Sequence, residues 1–199
     1  MDDLEFLKLA SATFRERMTE VGEDQHFLPT PCEGWNVAGL VSHVLGGNHM
    51  AVRLLAGAHR AEAIGYLAGL ALGDDPFDTF DRGSAEQIAA FAEPGAMERI
   101  LEHPMGDIPG STAIRFRIGD LTLHSWDLAR AVGGTEELPD TLVEKVWTDL
   151  LPLKENIAAV GIFGDGPSGQ VPDDAPLQTR LLDLVGRRPN SGDFEARRG

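Results

Sequence analysis

The chain has 199 residues, 42% of them hydrophobic, and a formal net charge of −15, enough for a substantial core within one domain, read as residues 1–189. That charge argues against a phosphate-backbone partner, because nucleic-acid affinity rests on clustered Lys and Arg that displace counterions. No apolar run approaches the roughly 18 uncharged residues of a membrane span, the start Met1-Asp2-Asp3 is acidic where a signal peptide is basic, and the single Cys32 cannot form an internal disulfide. These features predict a cytoplasmic protein with no membrane partner and a small molecule as ligand.

In residues 4–21, Leu4, Leu7, Phe14, Met18 and Val21 recur at helical spacing and predict a first helix. After the loop Thr30-Pro31-Cys32-Glu33-Gly34, Asn36 is placed to cap a second helix that runs through Val37, Leu40, Val44 and Leu55 and ends at Gly57. Residues 58–74 read as a connection with a possible short helix over Ala61 to Leu72, which Gly65 and Gly69 weaken. Asp75-Pro76 starts a third helix, with Phe77, Phe80, Ile88 and Phe91 on its buried face and Pro94-Gly95 at its end. The breaker-rich stretch 102–110 reads as loop. A fourth helix is expected from Ser111 or Thr112 to Gly133-Gly134, and a fifth over about 140–160, bent at Pro152. Residues 161–176 read as an ordered surface loop, 177–185 as a short last helix, and 190–199 as a disordered polar tail. Long helices in one small chain predict an all-α four-helix bundle with a short extra C-terminal helix and long loops.

Asp120 and His124 are four apart on the fourth helix and so emerge on one face, able to converge on one ion. His43 lies at the edge of the second helix's apolar stripe, where an imidazole can point across from a facing helix. Two histidines and a carboxylate suit zinc, iron or nickel, with positions left open for water or substrate. The plain reading of the same spacing is an exposed charge pair, and the stripe Arg117, Asp120, His124, Asp127 reads equally as a solvated face. Asp127 is placed to orient the His124 ring as an acceptor, or to act as a surface acid. Cys32 is expected to be a buried structural cysteine, Trp35 an anchor at the entrance of the second helix, and Arg130 a structural last-turn cation. Arg187 and Arg188 are expected to be solvated. His26, His49, His59 and His103 receive no role.

Three segments carry a resemblance. Pro31-Cys32-Glu33-Gly34-Trp35-Asn36-Val37 continuing through Leu40-Val41-Ser42-His43, then Asp120-Leu121-Thr122-Leu123-His124-Ser125-Trp126-Asp127-Leu128-Ala129-Arg130-Ala131, and the tail from Val171 to Arg187 resemble the DinB-like metal-binding helical family. More narrowly, they are similar to the branch related to the N-terminal domain of mycothiol-dependent maleylpyruvate isomerase. The resemblance implies a divalent metal, usually zinc, held by His43, Asp120 and His124 inside a four-helix bundle. The family's acid is often Glu, so Asp120 is one methylene shorter. The resemblance further implies mycothiol as cosubstrate: an open position on the metal activates a small thiol for transfer to, or isomerisation of, a small electrophile. The chain is expected not to carry the second domain of the isomerase, so the maleylpyruvate reaction itself is not transferred. Two other readings remain, a non-catalytic metal-binding bundle or dimerisation module and a metal-dependent hydrolase that activates water. A homodimer is left open.

Overall fold

The structure is a computed structural model that describes residues 1–69, 72, 75–157 and 166–188. Helix α1 (Asp3–Thr19) opens with a reciprocal cap: Asp2 Oδ1 accepts from the Glu5 N–H and Glu5 Oε2 accepts from the Asp2 N–H, each at 2.8 Å. Helix α2 (Val37–Leu55) starts where the sequence predicts, with Asn36 Oδ1 accepting from the Gly39 N–H. Residues 58–74, left undecided from sequence, contain α3 (Arg60–Gly69). Asp75 caps α4 (Pro76–Ala92) through the Phe77 and Asp78 N–H groups.

The predicted loop over 102–110 is the clearest correction. Strands β1 (Ile100–His103) and β2 (Gly106–Pro109) form an antiparallel hairpin in the register Leu101 to Ile108 and Glu102 to Asp107. Each strand is only four residues long, too short for alternation to stand out, and tertiary contacts supply what the pattern lacks. Arg60 reaches from α3 to the His103 carbonyl at 2.8 Å and the Asp107 carboxylate at 2.5 Å, pinning the hairpin to α3.

The hairpin runs directly into α5 (Gly110–Val132), which ends at Gly133 with φ 75°, the left-handed conformation that glycine adopts without penalty. Helix α6 (Asp140–Leu150) tightens into a 3-10 turn, Leu151–Asn156, around Pro152, as expected of a residue that cannot donate to the helix ladder. The expected continuation beyond residue 157, the loop 161–165 and the tail 190–199 lie outside the described residues. Helix α7 (Leu177–Leu184) closes the described chain.

Helix α1 packs on α5 and α4, and α2 packs on the same two. The four therefore form a closed ring in which α1 and α2 stand on opposite corners. The long link over 20–36 has to cross one end of the bundle to join them. Helix α3 leans on α2, α6 on α5 and α7 on α6. The core is apolar and dense, with Phe14 and Phe80 rings 5.4 Å apart and Trp126 buried with Leu121 and Leu128. Among the described residues, no helix is long and apolar enough to cross a membrane.

Two glycines of α5 test this packing in opposite directions. A Cβ at Gly110 would collide with the backbone carbonyl of Ala96, whereas one at Gly119 would meet only Val146 Cγ1, at 3.8 Å. Gly110→Ala should lower unfolding free energy by about 1–3 kcal/mol, the usual result of overpacking. Gly119→Ala should raise it by up to about 1 kcal/mol through helix propensity. Urea denaturation of the two variants checks both signs.

Candidate metal and substrate site

The stripe Arg117, Asp120, His124, Asp127 is not a solvated face. Arg117 and His124 are buried and Asp127 has no exposed surface. The stripe looks across the α5–α2 contact and toward the chain that follows α7. One end of it opens on a cavity of about 1010 Å³.

His43, from α2, meets the stripe there. Asp120 Oδ1 lies 3.2 Å from His43 Nε2 and 3.4 Å from His124 Nε2, and all three donor atoms fall within 4.8 Å of one another. Zinc–donor bonds of about 2.0–2.1 Å at tetrahedral angles set donor–donor edges of about 3.3 Å, and the two edges at Asp120 Oδ1 match that spacing. Asp127 Oδ2 accepts from His124 Nδ1 at 2.9 Å, which turns the ring so that Nε2 faces Asp120. The second histidine is steadied differently: the Trp35 ring lies 4.6 Å from that of His43 and 5.8 Å from that of His124.

Charge alternates along this line. Burial opposes ionisation of Asp120, but the charges of His43, Arg117 and His124 outweigh it and hold its carboxyl well below the usual range. Burial likewise disfavours a charged His124, yet Asp120 and Asp127 raise it well above an ordinary imidazole. For Asp127 burial is overcome chiefly by Arg187, so its carboxyl too stays ionised. Arg187 Nη2 and Nε contact Asp127 Oδ2 at 2.7 Å and Oδ1 at 3.2 Å.

Arg187 is the functional residue that sequence reasoning misplaced. Gly186, with φ 77°, ends α7, and the Arg187 N–H bonds back to the Leu182 carbonyl at 2.8 Å. The turn sends the side chain inward, where it is 11% exposed. Arg188 is half-buried against Asp183 and the Gly166 carbonyl. No local signal pointed to it, because Arg187 and Asp127 are 60 residues apart in the chain.

Cys32 is half-buried: it packs against the edge of the core and also lines the cavity. Its thiol donates to Asp127 Oδ2 at 3.3 Å, and its sulfur lies 3.8 Å from His124 Nδ1 and 3.7 Å from Arg187 Nη2. Cys32, His124 and Asp127 also come within ligand range of each other, but the Arg187 guanidinium beside them opposes a cation there. Trp35, at the entrance of α2, is 36% exposed and forms a wall of the cavity. Its loop is held by Thr30, whose N–H and hydroxyl both bond to the Trp35 carbonyl at 3.0 Å. Arg130 pairs with Glu136 at 2.9 Å while also bordering the cavity. Met50, Phe116 and Leu123 make the apolar wall. His103, given no role from sequence, borders the same space, and its Nδ1 accepts from the Met105 N–H at 3.1 Å.

Fold and site together define a helical bundle with an imidazole–carboxylate cluster set between two helices at the edge of a large cavity. Residues 7–129 match the family described as Mycothiol maleylpyruvate isomerase N-terminal domain, and the chain belongs to that family. Two uncharacterised proteins, from two strains of Mycobacterium tuberculosis, are 32% identical over 183 residues, covering 88% of this chain and 89% of theirs. Among solved structures, the crystal structure of the mycothiol-dependent maleylpyruvate isomerase superposes with a TM-score of 0.61 at 18% identity, over 78% of this chain and 71% of that one. A histidine-to-alanine mutant of the isomerase gives a TM-score of 0.58 at 16% identity, over 85% and 72%. At these identities the structural likeness establishes the fold.

Two measurements follow from the charges. Arg187→Gln strands a buried Asp127 carboxylate, so unfolding free energy should drop by about 3–5 kcal/mol. Arg187→Lys should recover only part of it, because an ammonium cannot reproduce the two-pronged contact; denaturant midpoints report both. His103 is pushed from 6.5 down to about 4, first by burial and then by Arg117 and Arg60. The unfolded chain therefore takes up this proton before the folded one does, and its contribution to stability is full above pH 6.5 and lost as pH falls toward about 4. His103→Asn should flatten the stability-against-pH curve across that window.

Proposed function

We propose that the chain is a metal-dependent enzyme in which His43, Asp120 and His124 hold a divalent ion, zinc foremost with nickel or iron as alternatives. It activates a small thiol, mycothiol, for transfer to or isomerisation of a small electrophilic substrate. The observation that carries the reading is the convergence of His43 Nε2, Asp120 Oδ1 and His124 Nε2 at the edge of a cavity of about 1010 Å³. A purely structural site closes around its ion with a fourth protein ligand, and a cluster bordering so large a space favours catalysis over a bundle-stabilising or dimerising role. Family membership, and the isomerase that shares the fold, support a thiol as the partner.

When bound, the ion supplies the Lewis acidity that makes thiolate available at neutral pH. The chain's residues do the rest. Asp127 keeps the Nδ1 proton of His124 and so leaves Nε2 to the cluster. Arg187 cancels the charge that Asp127 would otherwise impose on the cavity. Trp35 covers one side of both imidazoles, while Met50, Phe116 and Leu123 offer an apolar surface to the body of a substrate and exclude water from it.

Elemental analysis of freshly purified protein should find a stoichiometric divalent metal, and His43→Ala and His124→Ala should each abolish it together with thiol-dependent turnover. Protein free of stoichiometric metal, with His43→Ala indistinguishable from wild type, sinks the proposal. Turnover of an ester or amide substrate with no thiol present would move the assignment to a metal-dependent hydrolase.

A further inference from the structure

Asp120 has a second carboxylate oxygen, and it faces away from the histidines. Oδ2 accepts from Arg117 Nη1 at 2.5 Å. Arg117 is 5% exposed, and its other two nitrogens donate to neighbouring helices. Nη2 donates to Asn48 Oδ1 at 2.8 Å and to the Val44 carbonyl at 3.4 Å, both on α2. Nε donates to Gln87 Oε1 on α4 at 3.4 Å, and Gln87 Nε2 closes the network by donating to Asn48 Oδ1 at 2.6 Å. The backbone of α2 makes room for the guanidinium: a Cβ at Gly47 would collide with it.

We propose that Arg117 is a positioning residue that restricts Asp120 to a single donor oxygen, Oδ1, by occupying Oδ2 from a network fixed on three helices. The inference rests on the metal reading above. A carboxylate can bind an ion through one oxygen or both, and the choice decides how many positions remain for a ligand. Aspartate is short, so a small rotation about its χ2 exchanges the two modes. Arg117 stops that rotation from the far side. Asn48 and Gln87, which hold it, are themselves buried and bonded to each other through Gln87 Nε2 and Asn48 Oδ1. With Oδ2 withheld, three protein donors are left, the number found in zinc sites that keep an open fourth position. Arg117 touches none of the three ligand atoms, so it acts only through Asp120.

Cobalt(II) reads coordination number directly, through visible absorption that is intense when the ion is four-coordinate and much weaker when it is five- or six-coordinate. The metal-free full-length chain should bind Co²⁺ with the intense four-coordinate spectrum. Arg117→Gln should bind Co²⁺ with most of that intensity lost as Oδ2 becomes available, and Arg117→Lys should restore it in part. Gly47→Ala displaces the guanidinium without removing its charge and should show the same loss in smaller degree, which keeps the test available if Arg117→Gln does not fold. A wild-type chain that binds no Co²⁺ refutes the metal reading and this inference with it. Binding by wild type with a weak spectrum, or an Arg117→Gln or Gly47→Ala spectrum equal to an intense wild-type one, overturns the inference about Arg117 alone.

Discussion

A carboxylate with no exposed surface is tolerable in a small protein only while something nearby cancels its charge. Asp127 is in that position, and its partner Arg187 comes from 60 residues further along the chain. Much of the site depends on this pair. Arg187 keeps Asp127 ionised, Asp127 fixes the His124 ring, and the ring then turns its other nitrogen to Asp120. At the far end Arg117 closes the line, so alternating charges run along one face of α5 with a cation at each end. The wholly buried members and the partly buried Asp120 carry little net charge between them because each neighbour is of opposite sign.

The bundle topology explains how these groups come to one place. Because α1 and α2 occupy opposite corners of the ring, α2 and α5 are neighbours and His43 faces Asp120 across their contact. The same topology forces the link over 20–36 to span the bundle end. That crossing brings Cys32 and Trp35 to the cavity. A shorter link joining adjacent corners would leave the histidines open to solvent on that side.

Small residues matter where helices must approach closely. Gly46 lies against the Tyr66 carbonyl of α3, and Gly47 leaves the space that the Arg117 guanidinium fills. Both sit in the middle of α2, where glycine weakens a helix locally. Tertiary contacts offset that local weakness, the close approach to α3 in one case and the charge network in the other.

Periodicity and caps were enough to read α1, α2, α4, α5, α6 and α7 from the chain alone, since Asn36, Asp75 and Gly133 act within one turn of themselves. Helical spacing likewise put Asp120, His124 and Asp127 on one face. The hairpin β1–β2 was not legible, and helix α3 was legible only as one of two options. Their segments are short and glycine-containing, and each is stabilised by the other through Arg60. Nor could local sequence tell whether the polar stripe of α5 faced water or protein, since a stripe of acids and bases satisfies either. Arg187, Cys32, Trp35 and Arg117 acquired their places only when distant segments met. Sequence alone therefore determined which residues share a helix face, because that follows from the 3.6-residue turn. Tertiary structure decided which face was buried and what answered its charge, because burial and ion pairing act between groups far apart in the chain.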